Sequence, residues 1–517
     1  MIGRLTRRQL LALTAAGTTA MTFGSRLAFA QTGKTLRTRA YSDIQILDPA
    51  YRLAQPEGDV MEAIYTRLIS FKPGDSWGWE LDGAEKIEQT SPTTVDFTLK
   101  PGIMFTNGFG EMTAEDVKFS YERIADPKTE SPYKDDWANL DHVEVKDKYS
   151  GTIVLKKPFA PLWSSTLPSG SGAIMSKAAV TKAGGRFEAS PPATSGPYTI
   201  KEWQPKQRLV LVPSPDWKGE KPAFDEIVIM PIDDEKAAEL GFQAGEIDFT
   251  STSVSAIPNY LKSPPANAKF VRKPSLAYVW MGMNQDNPAL SDQKVRRAIQ
   301  HAIDVPAVLE AAYFGAAEPS TGIVAPGLIG HREKNLYSYD PEKAKELLKE
   351  AGKEGGMELT LSVLNKQEFV NAAQAVQAQL PEVGITVTIQ QYDSGTFWVL
   401  GDEKTGTTWK DIQLIIGRFS MQPDPSFATA WFTPEQIGVW NWERFNSPEF
   451  GELHVAALSE TDDAKRDVMY KKMQDLMEES GDYVFLTHEA VGTLASDKIN
   501  AAIRPDGIAL LSKFTAN

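Results

Sequence analysis

The chain reads as an α/β protein, and its central stretch carries that reading. Asp340-Pro341 opens a helix with Leu347, Leu348 and Ala351 as its apolar stripe and Gly352 at its end. Asp accepts free amides at a helix start, Pro fits the first helical position, and Gly takes the left-handed exit. Leu359 to Leu364 is strand-like, Phe369 to Leu380 helical and Ile385 to Ile389 strand-like again. Such alternation favours helices layered on a sheet over a sandwich or a bundle. A length of 517 residues allows two or three domains.

The elements before this stretch follow the same rules. Lys34 to Tyr41 is a short strand, followed by Leu47-Asp48-Pro49 and a helix through Val60, Ile64 and Leu68. Thr94 to Leu99 alternates with period two, the pattern of a half-buried strand, and Lys100-Pro101-Gly102 turns the chain. Thr113 with Asp116 three residues on forms a capping box for a helix carrying Val117, Tyr121 and Ile124. Ser291 is expected to cap a helix whose apolar face is Val295, Ala298, Ile299, Ala302 and Ile303, with Lys294, Arg296 and Arg297 available for solvent. There is no internal repeat and no long linker.

Arg4, Arg7 and Arg8 precede an apolar run from Leu10 to Phe23, and Ala28-Phe29-Ala30 offers small residues for cleavage. Residues 1–30 therefore read as a signal peptide, twin-arginine-like at Thr6 to Leu11, and the mature protein as periplasmic. No Cys follows the run, which excludes a lipid anchor, and the chain contains no Cys at all. No later run approaches the roughly 18 apolar residues of a membrane span. The net charge of −14 becomes more negative once the signal's arginines are removed. That balance disfavours nucleic acid and anionic membrane as partners.

Thr194-Ser195-Gly196-Pro197-Tyr198, Lys201-Glu202-Trp203, Arg208 to Val212, Pro215-Asp216-Trp217, Asp225 to Ile229 and Gly245-Glu246-Ile247-Asp248 follow one another in an order that resembles the family 5 solute-binding proteins of bacterial ABC importers. The resemblance extends through Phe97 to Phe105, Thr113 to Ser120, Val295 to Ala298 and Tyr339 to Gly352. It implies a two-lobed periplasmic binding protein fold of type II, cluster C-like, with an inserted subdomain. The implied divisions are 31–68, 195–274 and 488–517 for lobe I, 69–194 for the subdomain and 275–487 for lobe II. Two crossings between lobes would then permit hinge closure on a ligand. The implied function is a monomeric carrier without cofactor or metal that delivers a small molecule to a membrane permease.

Peptide-binding members resemble one another in an Asp ahead of an Asp-Pro or Glu-Pro pair, where it meets the peptide amine. Here Asp424-Pro425 fits the pair, but Met421 stands where that Asp is expected. A thioether cannot pair with an ammonium. Arg418, with its planar donor fork, suits an anionic or hydroxyl-rich ligand. The ligand is therefore expected to be peptide-like, opine-like or sugar-containing. An ordinary di- or oligopeptide is the alternative, with Asp424 or Asp43 taking the amine. Trp398, Trp440 and Trp442, among 12 Trp in all, offer stacking faces; Trp440 and Trp442 would face one way in an extended segment. Trp280 and Asn284 near the first crossing, and Tyr41 beside Asp43, complete the candidate site.

An enzyme is the rival class. Gly74-Asp75-Ser76-Trp77-Gly78 matches a nucleophile elbow in letters, but Pro73 precedes it and no helical stripe follows, so a turn is expected. Gly108-Phe109-Gly110 lacks the third Gly of a dinucleotide loop. His142, His301, His331, His454 and His488 show no metal-ligand spacing. A periplasmic hydrolase is thus the alternative from another class.

Overall fold

Two long strands, Ala268–Met283 and Tyr483–Ser496, run side by side through the computed structural model, which describes residues 34–188 and 190–517. The signal-peptide reading lies outside the described residues. The two strands are the centre of a ten-stranded sheet. On one side stand Phe249–Thr252, Thr35–Ala40, Glu226–Pro231, Arg208–Pro213 and Tyr198–Gln204; on the other stand Leu414–Ser420, Met357–Leu364 and Ile385–Tyr392.

The antiparallel ladder between the long strands shifts register twice, by a single extra residue after Val279 and by a wider break before Tyr278. Lys273 pairs with Val491 and Pro274 with Ala490, whereas Tyr278 pairs with His488 and Val279 with Thr487. Ser275 to Ala277 therefore face Glu489 alone. Pro274 has no amide to donate, and a bulge of this kind bends a strand and re-aims side chains. Past the bulge, Leu276 to Met283 is buried at every residue. This half lies between Leu414–Ser420 and Tyr483–Ser496, and a central strand covered on both faces reads as a continuous apolar run.

Separate cores stand on either side of the break. In lobe I, Leu36, Leu211 and Ile227 pack with Val60, Tyr65 and Phe514. In lobe II, Leu361, Ile385 and Leu414 pack with Val295, Ile299 and Phe369. A third core, including Val95, Phe97, Val117, Tyr121 and Ile153, belongs to a subdomain built on the sheet Ala84–Ser91, Thr94–Leu99, Ser150–Leu155 and Leu140–Val145. No described helix is long and apolar enough to cross a membrane.

Local signals behave as their chemistry requires, with four corrections. Thr113 Oγ1 and its amide both donate to Asp116 Oδ2 at 2.9 Å, and Asp340 accepts the Lys343 amide at 3.0 Å at the start of Pro341–Glu350. The helix expected to start at Ser291 is capped by Asp292, whose carboxylate accepts the Lys294 amide at 2.8 Å, while Ser291 Oγ turns back to the Pro288 carbonyl at 3.2 Å. Arg296 of that helix is buried, because its guanidinium donates to Leu290, Ser291 and Ser480 carbonyls and lies 2.6 Å from Asp482. The helix expected to include Leu68 is Gln55–Ile64, and Tyr65 is already extended. Trp440 to Trp442 is a turn and not extended backbone.

Candidate ligand-binding cleft

At the bulge, a cleft of about 590 Å³ opens between the lobes. Tyr41, Arg52, Gln55 and Asp59 come from lobe I, Ser275 to Ala277 and Glu489 to Val491 from the crossing strands, and Glu368, Arg418 and Met421 from lobe II. The crossing strands form its floor, so any closure of the lobes acts on what the cleft holds.

The strand Leu414–Ser420 leaves the lobe II core at Gly417, and Arg418 and Ser420 then lie on one side of it toward the cleft. Arg418 is already committed. Its Nε and Nη2 donate to Glu489 Oε2 at 3.0 and 2.8 Å, and its Nη1 donates to Ser420 Oγ at 3.1 Å. The expectation that Arg418 offers a free fork to a ligand is therefore corrected: the bulge aims Glu489 at it. Met421 is buried at the cleft wall, its amide donating to Leu276 at 2.9 Å, within the apolar cluster that includes Tyr278 and Phe432.

Asp424 is fully buried and saturated. Its oxygens accept Arg466 Nη2 at 2.8 and 3.0 Å, Ser164 Oγ at 2.8 Å and the Ser426 amide at 3.0 Å. It holds structure together and is not open to a ligand amine. Asp43 accepts the Lys206 amide at 2.9 Å and lies outside the cleft lining. Asn284 is also away from it, its Nδ2 donating to the Ile412 carbonyl at 3.0 Å. Tyr41 does line the cleft and is half exposed.

The candidate tryptophans Trp280, Trp398, Trp440 and Trp442 gather in lobe II, beside the cleft and not in its lining. Trp440 and Trp442 rings are 6.4 Å apart and near parallel, and Trp398 stacks on Phe419 at 6.3 Å. Trp280 is buried and donates to Glu443 Oε1 at 2.7 Å. Arg418 is the residue common to this cluster and the cleft. The aromatic faces largely meet one another.

Arg52 had no sequence signal, since a lone Arg in a loop before Pro56 has no periodic or capping role to read. Among the described residues its guanidinium has no hydrogen-bond acceptor, and Nε is buried. A Cβ on Gly170 would stand 3.2 Å from its Cζ, Nε and Nη1, and one on Gly58 would stand 3.2 Å from Nη1. Two glycines thus leave room for the guanidinium at the cleft wall. Asp59 is its acidic counterpart there. Burial pushes its carboxyl up to about 7, with the Gln55 Nε2 hydrogen bond at 2.7 Å working the other way. Burial also raises Glu62, whose oxygens take the Ser512 amide and hydroxyl.

The sequence motifs weighed as catalytic take other shapes. Ser76 sits in a bend between the paired strands Ile69–Phe71 and Trp79–Leu81, with no helix behind it. Asn107, Gly108 and Gly110 take positive φ in a turn. No group of three metal-ligating side chains occurs among the described residues. His488 is buried beside Ser320 and held neutral, its pKa lowered by burial to about 4.

The family model for bacterial extracellular solute-binding proteins, family 5 Middle, matches residues 80–438. A putative ABC transporter peptide-binding protein of Brucella ovis is 28% identical over 396 residues, 75% of this chain and 74% of that one. The probable D,D-dipeptide-binding periplasmic protein DdpA of Escherichia coli is 28% identical over 463 residues, 86% of each. In fold, the chain is similar to HbpA2 from Haemophilus parasuis, with a TM-score of 0.81 at 22% identity over 93% of this chain and 100% of that one.

Proposed function

The chain belongs to the family 5 bacterial extracellular solute-binding proteins, whose members serve ABC importers, and on that premise we propose that it is exported, monomeric, and closes on a small amino-acid conjugate for delivery to a membrane permease. The ligand is a short peptide or an opine-like molecule with a carboxylate at one end and an amine at the other. The observation that carries this reading is Arg52, a cleft cation with a buried Nε and no acceptor among the described residues. A buried donor left unpaired costs about 1–3 kcal/mol, which a ligand carboxylate would recover. Asp59 supports the amine end, because a carboxyl held near 7 gains most from a cation brought beside it.

The peptide reading gains from the same pair of groups, since a free peptide presents both ends. Met421 then no longer argues against an amine, because Asp59 supplies the charge from lobe I. The sugar-containing reading loses its support with the commitment of Arg418 to Glu489.

Calorimetric titration of short peptides and opine-like conjugates tests this. Arg52→Ala and Asp59→Asn should each weaken binding about tenfold or more, and scattering should show a smaller radius of gyration at saturation. Tight binding undiminished in both variants would refute the assignment of the two ends. Cleaved products in the incubation would restore the hydrolase.

A further inference from the structure

Phe71 and Pro423 line both the cleft and a second chamber, also of about 590 Å³, between the inserted subdomain and lobe II. We propose that this chamber is a second ligand subsite that takes an aromatic or branched apolar group of the molecule whose polar ends the cleft holds. The proposal rests on the cleft being the ligand site.

The subdomain wall of the chamber is aromatic. Trp79 and Trp163 stack with centroids 5.4 Å apart and planes 25° from parallel, and Trp77 lies beside Phe71 at 6.0 Å. Trp79 is 37% exposed. Leaving so large an apolar face in water is unfavourable, and such a patch at a cavity mouth marks a binding surface. Trp163 spends its one donor on Gln89 Oε1 at 3.3 Å, within the same chamber lining, which leaves ring faces for contact.

The buried polar groups of the opposite wall favour an apolar occupant over a sugar, although the exposed Asp463 also lines the chamber. Asp424 and Arg466 are spent on each other, and Ser164 Oγ is spent on Asp424. A hydroxyl-rich group entering here would lose water without finding these groups free, which is costly; an aromatic or aliphatic group loses nothing comparable. Continuity through Phe71 and Pro423 then makes the occupant part of the cleft ligand. The same ring stack serving only to join two subdomain elements would give no dependence on ligand.

The test uses the full mature chain labelled with 5-fluorotryptophan, with the Trp79 and Trp163 signals assigned from Trp→Phe variants. p-Cresol should shift both fluorine signals saturably, and Trp79→Ala should abolish the effect at Trp163. Ala-Ala-Phe should bind at least about tenfold tighter than Ala-Ala-Ala. Trp79→Ala should cut that preference below about twofold and Trp79→Phe should restore most of it. Trp79 is exposed enough that these variants keep the fold, which melting curves verify. Equal binding of both tripeptides with p-cresol silent would overturn the subsite alone. Failure of both tripeptides to bind would overturn the cleft reading and the subsite with it.

Discussion

Asp424→Ala separates a structural carboxylate from a ligand-binding one. Asp424 is fully buried and Arg466 nearly so, with side-chain exposures of 0% and 3%. Both Asp424 oxygens accept from Arg466 Nη2, and Asp424 also ties Ser164 of the subdomain to lobe II. Removing the carboxylate leaves a guanidinium buried without its partner, a loss of about 3–5 kcal/mol. At roughly 2–4 °C per kcal/mol for a body of lobe II's size, the melting midpoint should drop on the order of 6–20 °C. Replacing both charges, as Asp424→Leu with Arg466→Met, should recover most of the loss, because the cost lies in the unpaired charge and not in the missing pair. Differential scanning calorimetry measures the midpoint, and titration below the transition should show cleft affinity changed by less than about threefold. An unchanged midpoint together with abolished binding would refute the structural role and return Asp424 to the ligand.

Three other outcomes follow from the same geometry. Gly170→Val should crowd Arg52, whose Cζ lies 3.2 Å from the new Cβ, and weaken carboxylate ligands about tenfold; calorimetry showing no change would place the anion elsewhere. Arg418→Ala should leave Glu489, with a side chain 16% exposed, without its cation at the bulge and lower the midpoint, and adding Glu489→Gln should restore it, as melting curves would show. Glu443 is buried against Trp280 and burial pushes its pKa up to about 7. The native state therefore holds a proton that the unfolded chain releases near its ordinary value, so this residue's contribution falls as pH rises from about 4.5 to about 7. Glu443→Gln should flatten that part of the stability profile relative to wild type; parallel profiles would contradict it.

Much of the local structure was legible because its causes are local. Thr113 with Asp116 and Asp340 with Pro341 start helices by chemistry contained within four residues. Ser291 misled because two candidate caps stand side by side and only the folded backbone selects Asp292. Arg296 misled because a helical stripe predicts which residues face the core, while its acceptors, Ser480 and Asp482, come from more than 180 residues away. Asp424 and Arg418 were singled out for their chemistry, and their partners, Arg466 and Glu489, lie 42 and 71 residues further on.

The α/β class and the family were written in the sequence itself, because periodicity, caps and ordered blocks are properties of neighbouring residues. Which charges remain free for a ligand was decided only by tertiary structure. Glu489 claims Arg418 because the ladder breaks between Pro274 and Tyr278. Arg52, whose guanidinium lies 4.6 Å over the Tyr133 ring, keeps its hydrogen-bond donors free because Gly58 and the sequence-distant Gly170 make space around it without supplying an acceptor. A charge is available only when every potential partner has gone elsewhere, and that is a property of the whole fold, invisible in any segment of the chain.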